Sequence, residues 1–168
     1  MIRSLLSSDF DSILKVINNA AHAYKGIIPD DRWKEPYMSC AELKEEIKSG
    51  VRFFGWTEGD HLLGVTGIQA IKDGTLLRHA YVLPRFQRKG IGTRLLKYLL
   101  GLANTREILV GTWVDATWAI RFYEKHGFKL MSSTEKDRLL RTYWSIPQRQ
   151  IEASVVLRLI PCHYQLQV

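Results

Sequence analysis

Residues 87–93 carry the spacing with the clearest chemical use, Gln-Arg-Lys-Gly-Ile-Gly-Thr. An apolar run at 76–83, closed by Pro84, precedes them, and leucines at helical spacing follow from Leu95. The pattern predicts a buried strand, a short turn and a helix with glycines at its start. The first amides of a helix have no intrahelical acceptor and lie at the positive end of the helix dipole. The segment therefore predicts an anion site, with phosphate as the usual ligand.

Two common phosphate-binding loops do not fit this segment. A Walker A loop needs lysine between its last glycine and the Ser or Thr, but Thr93 follows Gly92 directly. A dinucleotide-binding loop needs a third glycine where Leu95 stands. An anion site and a tight turn without any ligand both remain. The polar and cationic residues 87–89 just before the glycines favour the anion site.

The run Gln87-Arg88-Lys89-Gly90-Ile91-Gly92 resembles the Q/R-x-x-G-x-G/A pyrophosphate loop of the GNAT superfamily, the acyl-CoA-dependent N-acyltransferases. The preceding AYVLPRF resembles the family's strand and entry turn, and AIRFYEKHGF at 119–128 resembles its second signature. The resemblance implies an α+β (α/β) fold with a mixed, largely antiparallel central sheet flanked by helices on both faces. It also implies acetyl-CoA as co-substrate and no metal.

Carried over by position, the resemblance implies that backbone groups of three residues pair with the pantetheine arm and that a run of amides holds the pyrophosphate. The implied cofactor-binding residues are Ala80, Tyr81, Val82, Gln87, Arg88, Lys89, Gly90, Ile91, Gly92 and Thr93. Tyr123 falls at the family's usual general-acid position, although a core aromatic is the alternative. The chain departs from the family at Ala116, where asparagine is often found.

Acyl transfer by direct attack in a ternary complex needs a neutral amine, a stabilised oxyanion and a protonated thiol. The backbone N–H of Tyr81 or Val82 is expected to meet the oxyanion. His79, Asp115 and Glu152 are candidate bases, and the sequence selects none of them. A core histidine is the favoured interpretation of His79, and Asp115 fits the cap of the following helix equally well.

Residues 23–38 are rich in aromatic and charged side chains, are broken by glycine and proline, and have no regular period. Such a segment predicts a loop or a broken helix, and loops often carry binding residues. Its position resembles that of the acceptor-site walls in GNAT proteins, and a cap over the core is the alternative. The candidate acceptor-binding residues are Tyr24, Asp31, Arg32, Trp33 and Tyr37.

The rest of the sequence predicts the elements that position these residues. Capping patterns at Ser8–Asp11, Ser39–Glu42 and Ser132–Glu135 predict three helix starts. Apolar runs predict a hairpin of 51–57 with 61–71, a strand at 106–115 and a last strand at 153–160. A helix is predicted at 116–126, with an apolar face of Trp118, Phe122 and His126 and with Ala119 and Tyr123 beside them. Without repeats or linkers, residues 1–168 are predicted to form a single domain.

The composition and charge of the chain restrict the kinds of partner that it is expected to bind. Lys and Arg number 24 against 17 Asp and Glu, and this net charge of +7 fits an anionic partner, although a solvated basic surface is the favoured interpretation. The basic residues form no stripe, so nucleic acid is not expected, and no apolar run is long enough for a membrane span. Cys40 and Cys162 lack metal-ligand spacing, which predicts a reduced, cytoplasmic protein.

The sequence thus predicts an N-acetyltransferase that acts on a primary amine, either of a small molecule or of a protein. The alternative is a non-catalytic CoA-binding or sensory module of the same fold, which the alanine at position 116 favours. The identity of the amine, the acyl length and the oligomeric state, including a homodimer, stay open.

Overall fold

A computed structural model describes residues 1–161 as a mixed α/β structure with a seven-stranded, mostly antiparallel sheet. The predicted fold class is confirmed. The strands are β1 (Ile2–Ser4), β2 (Arg52–Glu58), β3 (His61–Ile71), β4 (Gly74–Val82), β5 (Glu107–Trp113), β6 (Lys129–Leu130) and β7 (Ser154–Leu159). The helices are α1 (Phe10–Ala21), α2 (Cys40–Lys48), α3 (Ile91–Leu102), α4 (Thr117–Lys125), α5 (Ser133–Tyr143) and α6 (Gln148–Glu152). The strand order is β1-β2-β3-β4-β5-β7-β6.

The described chain divides into two compact units that interleave along the sequence. The first comprises residues 1–25, 34–69 and 77–103. The second comprises 26–33, 70–76 and the residues from 104 on. The single domain over 1–168 stays a prediction.

In the first unit, β3 is buried along most of its length because helices cover both of its faces. Val65 of β3 packs in one apolar cluster with Ile17 of α1 and Leu43 of α2. Leu63 packs in another cluster with Leu95 of α3. Successive side chains of a regular strand point to opposite faces, so residues 63 and 65 would lie on the same face. Because they pack in clusters on different faces, the strand has a local irregularity near Gly64.

The second unit has its own core, built by β5, β7 and the helices that follow. Leu109, Leu139 and Val156 are fully buried there. Tyr143 closes the edge of this core, and its hydroxyl donates a hydrogen bond of 2.5 Å to Asp73. Burial and the neighbouring carboxylates of Asp73 and Glu107 raise the pKa of Tyr143, so the hydroxyl stays a donor at neutral pH.

Two of the three predicted helix starts are confirmed. Ser39 accepts a hydrogen bond from the Glu42 amide at 3.2 Å, and Ser132 accepts one from the Glu135 amide at 3.3 Å. The predicted Ser8–Asp11 box is wrong, because α1 begins at Phe10 after a single 3-10 turn at Ser7–Asp9.

Asp9 takes the place of the predicted box. The Arg3 guanidinium binds its carboxylate and lowers the pKa of Asp9 to about 2, with help from the amide of Leu6. The ion pair therefore ties β1 to the turn that leads into α1.

The predicted apolar face of the helix at 116–126 is confirmed only in part. Trp118 is 44% exposed, whereas Tyr123 is only 6% exposed. The short helix α6 was not predicted, since five residues are too few to show a helical period. Cys40 is an exposed free thiol, and Cys162 lies outside the described residues. Among residues 1–161, no helix has the length and apolar content that a membrane span requires.

Candidate active site

The start of α3 is fixed tightly against β3, at the end of β4. A Cβ atom built at Gly64 would lie 3.0 Å from Ile91 Cγ2 and 3.2 Å from both Leu95 Cδ1 and Val82 Cγ2. Only glycine leaves that space, so Gly64 sets how closely α3 approaches the strands. The helix start is therefore held in a definite place.

The loop between β4 and α3 has a left-handed backbone at two positions. Gly90 is the N-cap of α3 with φ +82°, and Arg88 also has a positive φ of 57°. Within residues 1–161, no side chain caps the helix start, and the first intrahelical bond runs from the Arg94 amide to the Gly90 carbonyl at 3.0 Å. The amides before Arg94 in this turn are left to an external acceptor, which suits an anion.

Side chains around the loop add positive charge. Arg88 and Lys89 are exposed, and the Lys89 ammonium lies 5.2 Å from the centroid of the Phe86 ring. On the next turn of the helix, the Arg94 guanidinium lies 5.2 Å from the Trp56 ring. Gln87 is also exposed, but its side-chain amide donates to the Val82 carbonyl, so it positions the loop. The donors and charges together fit a phosphate group.

Segment 23–38 is irregular, as predicted, with single 3-10 turns at His22–Tyr24 and Asp30–Arg32. Two of its five candidate residues meet in the first unit. The rings of Tyr24 and Tyr37 stack at 5.9 Å, and Tyr24 meets the Tyr81 ring edge-on at 6.3 Å. Two acceptor candidates thus lie beside a residue of β4 that was assigned to the cofactor.

Asn18 holds the end of this segment, a role that no pattern in the sequence predicts. Its side-chain amide donates to the Met38 carbonyl at 2.9 Å and accepts from the Met38 amide at 2.7 Å. A single side chain of α1 therefore satisfies both backbone groups of Met38.

The other three acceptor candidates lie in the second unit. The Arg149 guanidinium binds the Asp31 carboxylate at 3.2 Å and lowers the pKa of Asp31. Arg32 lies 3.5 Å from the same carboxylate, and its buried Nε has no hydrogen-bond partner within the described residues. Trp33 is half-buried, and its backbone amide closes the turn at Pro29. Asp31 is therefore already engaged in an exposed ion pair.

Tyr123 is buried in the second unit between two phenylalanines. Its ring meets Phe122 at 5.2 Å and Phe128 at 5.4 Å, edge-on in both cases. This packing suits a core aromatic and fixes the ring's orientation. The general-acid role stays a prediction.

The candidate base His79 lies at a break in the regular geometry of β4. Its φ is +51°, a left-handed value in the middle of a strand. Its Nε2 lies 3.1 Å from Oε2 of Glu46, on α2, and its ring stacks on Phe53 at 5.8 Å. His79 therefore contacts a charged group. A core histidine enclosed only by apolar side chains would have no such contact.

The apolar pattern of the sequence does not point to Glu46, because Leu43 and Ile47, at helical spacing, predict the buried face of α2. Ile47 is 43% exposed, and Glu46 instead is half-buried. Its other carboxylate oxygen accepts from Arg78 at 2.7 Å. Burial raises the pKa of Glu46, but contact with His79 and the charge of Arg78 lower it by more, so the net shift is downward. Glu46 follows the buried Leu43 by three residues, so the two lie on the same side of the helix, and this spacing is the signal in the sequence that points to Glu46.

The two remaining candidate bases are both exposed. Asp115 does not cap α4, because the N-cap is Ala116 and no side chain bonds there. Glu152 ends α6 and accepts a hydrogen bond from Gln148 at 3.0 Å. Neither shows a contact that distinguishes it from a surface carboxylate.

Residues 18–142 match the family model described as an acetyltransferase (GNAT) domain. Among curated proteins, the chain is similar to the peptidyl-lysine N-acetyltransferase YiaC of Escherichia coli (strain K12). The two are 23% identical over 145 residues, which are 86% of this chain and 93% of that protein.

Solved structures show the same fold. The PaiA N-acetyltransferase of Thermoplasma acidophilum, in complex with coenzyme A, superposes with a TM-score of 0.71 at 20% identity, over 96% of this chain and 98% of that one. The ribosomal-protein-S18-alanine N-acetyltransferase of Escherichia coli superposes with a TM-score of 0.68 at 18% identity, over 95% and 92%.

Proposed function

Because the chain belongs to the GNAT acetyltransferase family, we propose that it transfers an acetyl group from acetyl-CoA to a primary amine. The observation that carries the proposal is the loop before α3. It joins left-handed residues at 88 and 90 to a helix start without a side-chain cap. That arrangement offers amides and cations to an anion of the size of a pyrophosphate.

The cofactor is proposed to bind along β4 and the loop. Amides from Arg88 to Thr93 hold the pyrophosphate, with Lys89 adding charge. Backbone groups of Ala80–Val82 pair with the pantetheine arm in the manner of an added strand. Ala80 is exposed and the next two residues are only half-buried, which is consistent with an open strand segment. A solved relative of the same fold was crystallised with coenzyme A, which supports this ligand.

The acceptor is proposed to be an amine that enters beside Tyr24 and Tyr37. The ring contact of Tyr24 with Tyr81 brings this wall to the strand assigned to the thioester. Asp31, Arg32 and Trp33 remain proposed parts of the acceptor site. Two similar proteins are named for peptidyl-lysine and for an alanine of ribosomal protein S18, so protein amines belong in any screen, beside small amines.

The proposed chemistry is direct attack of the neutral amine on the thioester. The Tyr81 or Val82 N–H stabilises the oxyanion as the carbonyl becomes tetrahedral. The leaving thiolate takes a proton, for which Tyr123 is the proposed donor. An alkyl ammonium with a pKa of about 10.4 is mostly charged at neutral pH, so a base must act before the attack.

A non-catalytic CoA-binding module is the second candidate function. Ala116 favours it, because this buried N-cap residue has no side-chain donor or acceptor to offer a cofactor where the family often has asparagine. Such a module would bind CoA and release no thiol in the presence of any amine.

The test is release of CoA thiol from acetyl-CoA in the presence of a metabolite pool and, separately, of lysine-containing and free N-terminal peptides. Mass spectrometry then identifies the acetylated product. Acetylation of one class above the rate without protein supports the transferase. CoA binding by calorimetry without any acetylated product would favour the binding module. Absence of both binding and transfer would overturn both functions.

A further inference from the structure

The backbone at His79 changes which side chains β4 presents to α2. In a regular strand, successive side chains point to opposite faces. Here Arg78 and His79 both reach Glu46, at 2.7 Å and 3.1 Å. The left-handed φ of His79 breaks the alternation and brings both side chains to the same carboxylate. Such strain persists only where the surrounding structure holds it, and it is common at functional sites.

A chain of polar contacts fixes the carboxylate. Arg78 binds Glu46 through one nitrogen and Gln69 through another, at 3.0 Å. Gln69 in turn donates to the Ser49 carbonyl at 2.8 Å. Glu46 therefore cannot turn away from His79 without losing its bond to Arg78.

The contact between Glu46 and His79 determines which imidazole nitrogen is available. Both Nε2 and the facing Oε2 are buried, and their geometry is not that of an aligned hydrogen bond. A carboxylate facing Nε2 favours the tautomer with the proton on that nitrogen, so Nδ1 keeps a free lone pair. The side chain as a whole is 15% exposed although Nε2 is buried, so solvent reaches another part of it.

His79 also lies on the face of β4 that meets the proposed acceptor wall. Its ring stacks on Phe53, a member of the cluster against which Tyr37 and Tyr81 pack. His79 and Tyr81 are only two residues apart on β4, so the imidazole starts close to the Tyr81 backbone. That backbone is where the thioester carbonyl is proposed to bind.

We infer that His79 is the base that takes a proton from the acceptor ammonium, and that Glu46 is the residue that positions it. The inference rests on the proposed transferase function. Nδ1 accepts one proton, and the neutral amine attacks the carbonyl carbon. A C–N bond forms and the C–S bond breaks. The nitrogen loses a second proton, which balances the one taken up by the thiolate, and the imidazolium returns its proton to solvent.

The test uses the full chain, acetyl-CoA and the amine identified by the screen. His79→Asn is the first variant, because asparagine tolerates a left-handed backbone better than most residues. We expect kcat to fall about 10²–10⁴-fold, the usual contribution of general acid–base catalysis, with CoA affinity by calorimetry within twofold of the parent. His61→Asn, at an exposed position of β3, is the matched control and should keep the parental rate.

The pH profile separates a base from a structural residue. For the parent, kcat/KM should fall on acidification, and this limb should be absent in His79→Asn, which lacks the proposed base. The glutamine of Glu46→Gln can still accept a hydrogen bond from Arg78, but it has no negative charge to stabilise the imidazolium. The acidic limb of the kcat/KM profile of this variant should therefore lie at lower pH than that of the parent. The charged groups around His79 are Glu46 and, beyond it, Glu42 on α2, with Arg78 on its own strand.

An unchanged acidic limb in His79→Asn would overturn the inference while leaving the transferase function intact. The inference would also be overturned if the acidic limb of Glu46→Gln lies at the same pH as in the parent, provided that thermal melting shows the variant to be folded. If the parent itself transfers no acetyl group to any amine, the proposed function and this inference fail together.

Discussion

The side-chain amide of Gln87 donates a hydrogen bond of 2.9 Å to the carbonyl oxygen of Val82, the last residue of β4. The bond spans the turn between strand and glycine loop, so it fixes the loop relative to the strand. Gln87→Ala removes it. A neutral hydrogen bond contributes about 0.5–1.5 kcal/mol, so CoA affinity should fall roughly 2–10-fold in calorimetry. Unchanged affinity would show that the loop keeps its shape without Gln87.

The second glycine of the loop provides a sharper test of the pyrophosphate site. In Gly92→Val, a branched side chain occupies the first turn of α3, where the phosphates are proposed to approach the amides. We expect calorimetry to show no CoA binding while circular dichroism stays unchanged.

Gly101→Val is the matched control, since Gly101 lies on the same helix and a Cβ there meets no neighbouring heavy atom within 4 Å. It should bind CoA like the parent. Equal binding by both variants would remove the glycine loop from the proposed site.

Trp33 and Asp31 test the acceptor wall. Trp33→Ala and Asp31→Ala should raise the acceptor KM several-fold, with acetyl-CoA affinity nearly intact, because they are proposed to contact only the amine. Steady-state kinetics with each substrate varied in turn makes the measurement.

Arg149→Ala is the control for Asp31, because it removes the same ion pair from its other side. If it raises the acceptor KM as much as Asp31→Ala, the pair shapes the segment and Asp31 does not contact the amine. If all three variants change only thermal stability, residues 23–38 form a structural cap.

Asp9 makes the stability of the fold depend on pH. Its pKa is about 2 in the folded chain against an ordinary value of 3.8, so its contribution is fully present above about pH 4 and is lost as pH falls through 2. The shift amounts to roughly 2 kcal/mol, which solvent screening of the largely exposed Arg3 reduces to about 1 kcal/mol. Urea unfolding should show Asp9→Asn about 1 kcal/mol less stable than the parent at pH 6, and the difference should shrink by pH 2.5. A difference independent of pH would exclude the ion pair as its cause.

The sequence was sufficient wherever a local rule decides the structure. The Ser39–Glu42 box and the helix start at the glycines follow from neighbouring residues, and the structure has both. The predicted Ser8–Asp11 capping box does not form, because the carboxylate of the neighbouring Asp9 competes as a hydrogen-bond acceptor. Asp9 binds Arg3 from another element, and no local rule includes that competition.

The site depends more on contacts between distant residues. Glu46 meets His79 only because β4 is irregular there, and a left-handed histidine leaves no mark in hydrophobic periodicity. Asn18 reaches the Met38 backbone across 20 residues. On α4, aromatic residues 122 and 123 are adjacent, and which of them is buried depends on packing against Phe128. These positions need a three-dimensional structure.

That burial sharpens the last prediction, on Tyr123 as the donor of a proton to the CoA thiolate. Tyr123→Phe keeps the ring and its edge-on contacts with Phe122 and Phe128, so folding should change little. The change removes only the hydroxyl. A thiol has a pKa near ~8.5, so transfer should be slowed without stopping. We expect kcat to fall about 10²–10⁴-fold, with acetyl-CoA affinity close to parental, because an interaction used in the transition state acts on kcat.

Phe122→Leu is the control for packing, since it alters the neighbouring ring and no hydroxyl, and it should lower stability more than kcat. If Tyr123→Phe turns over at the parental rate with the true acceptor, Tyr123 is a core aromatic and solvent protonates the thiolate.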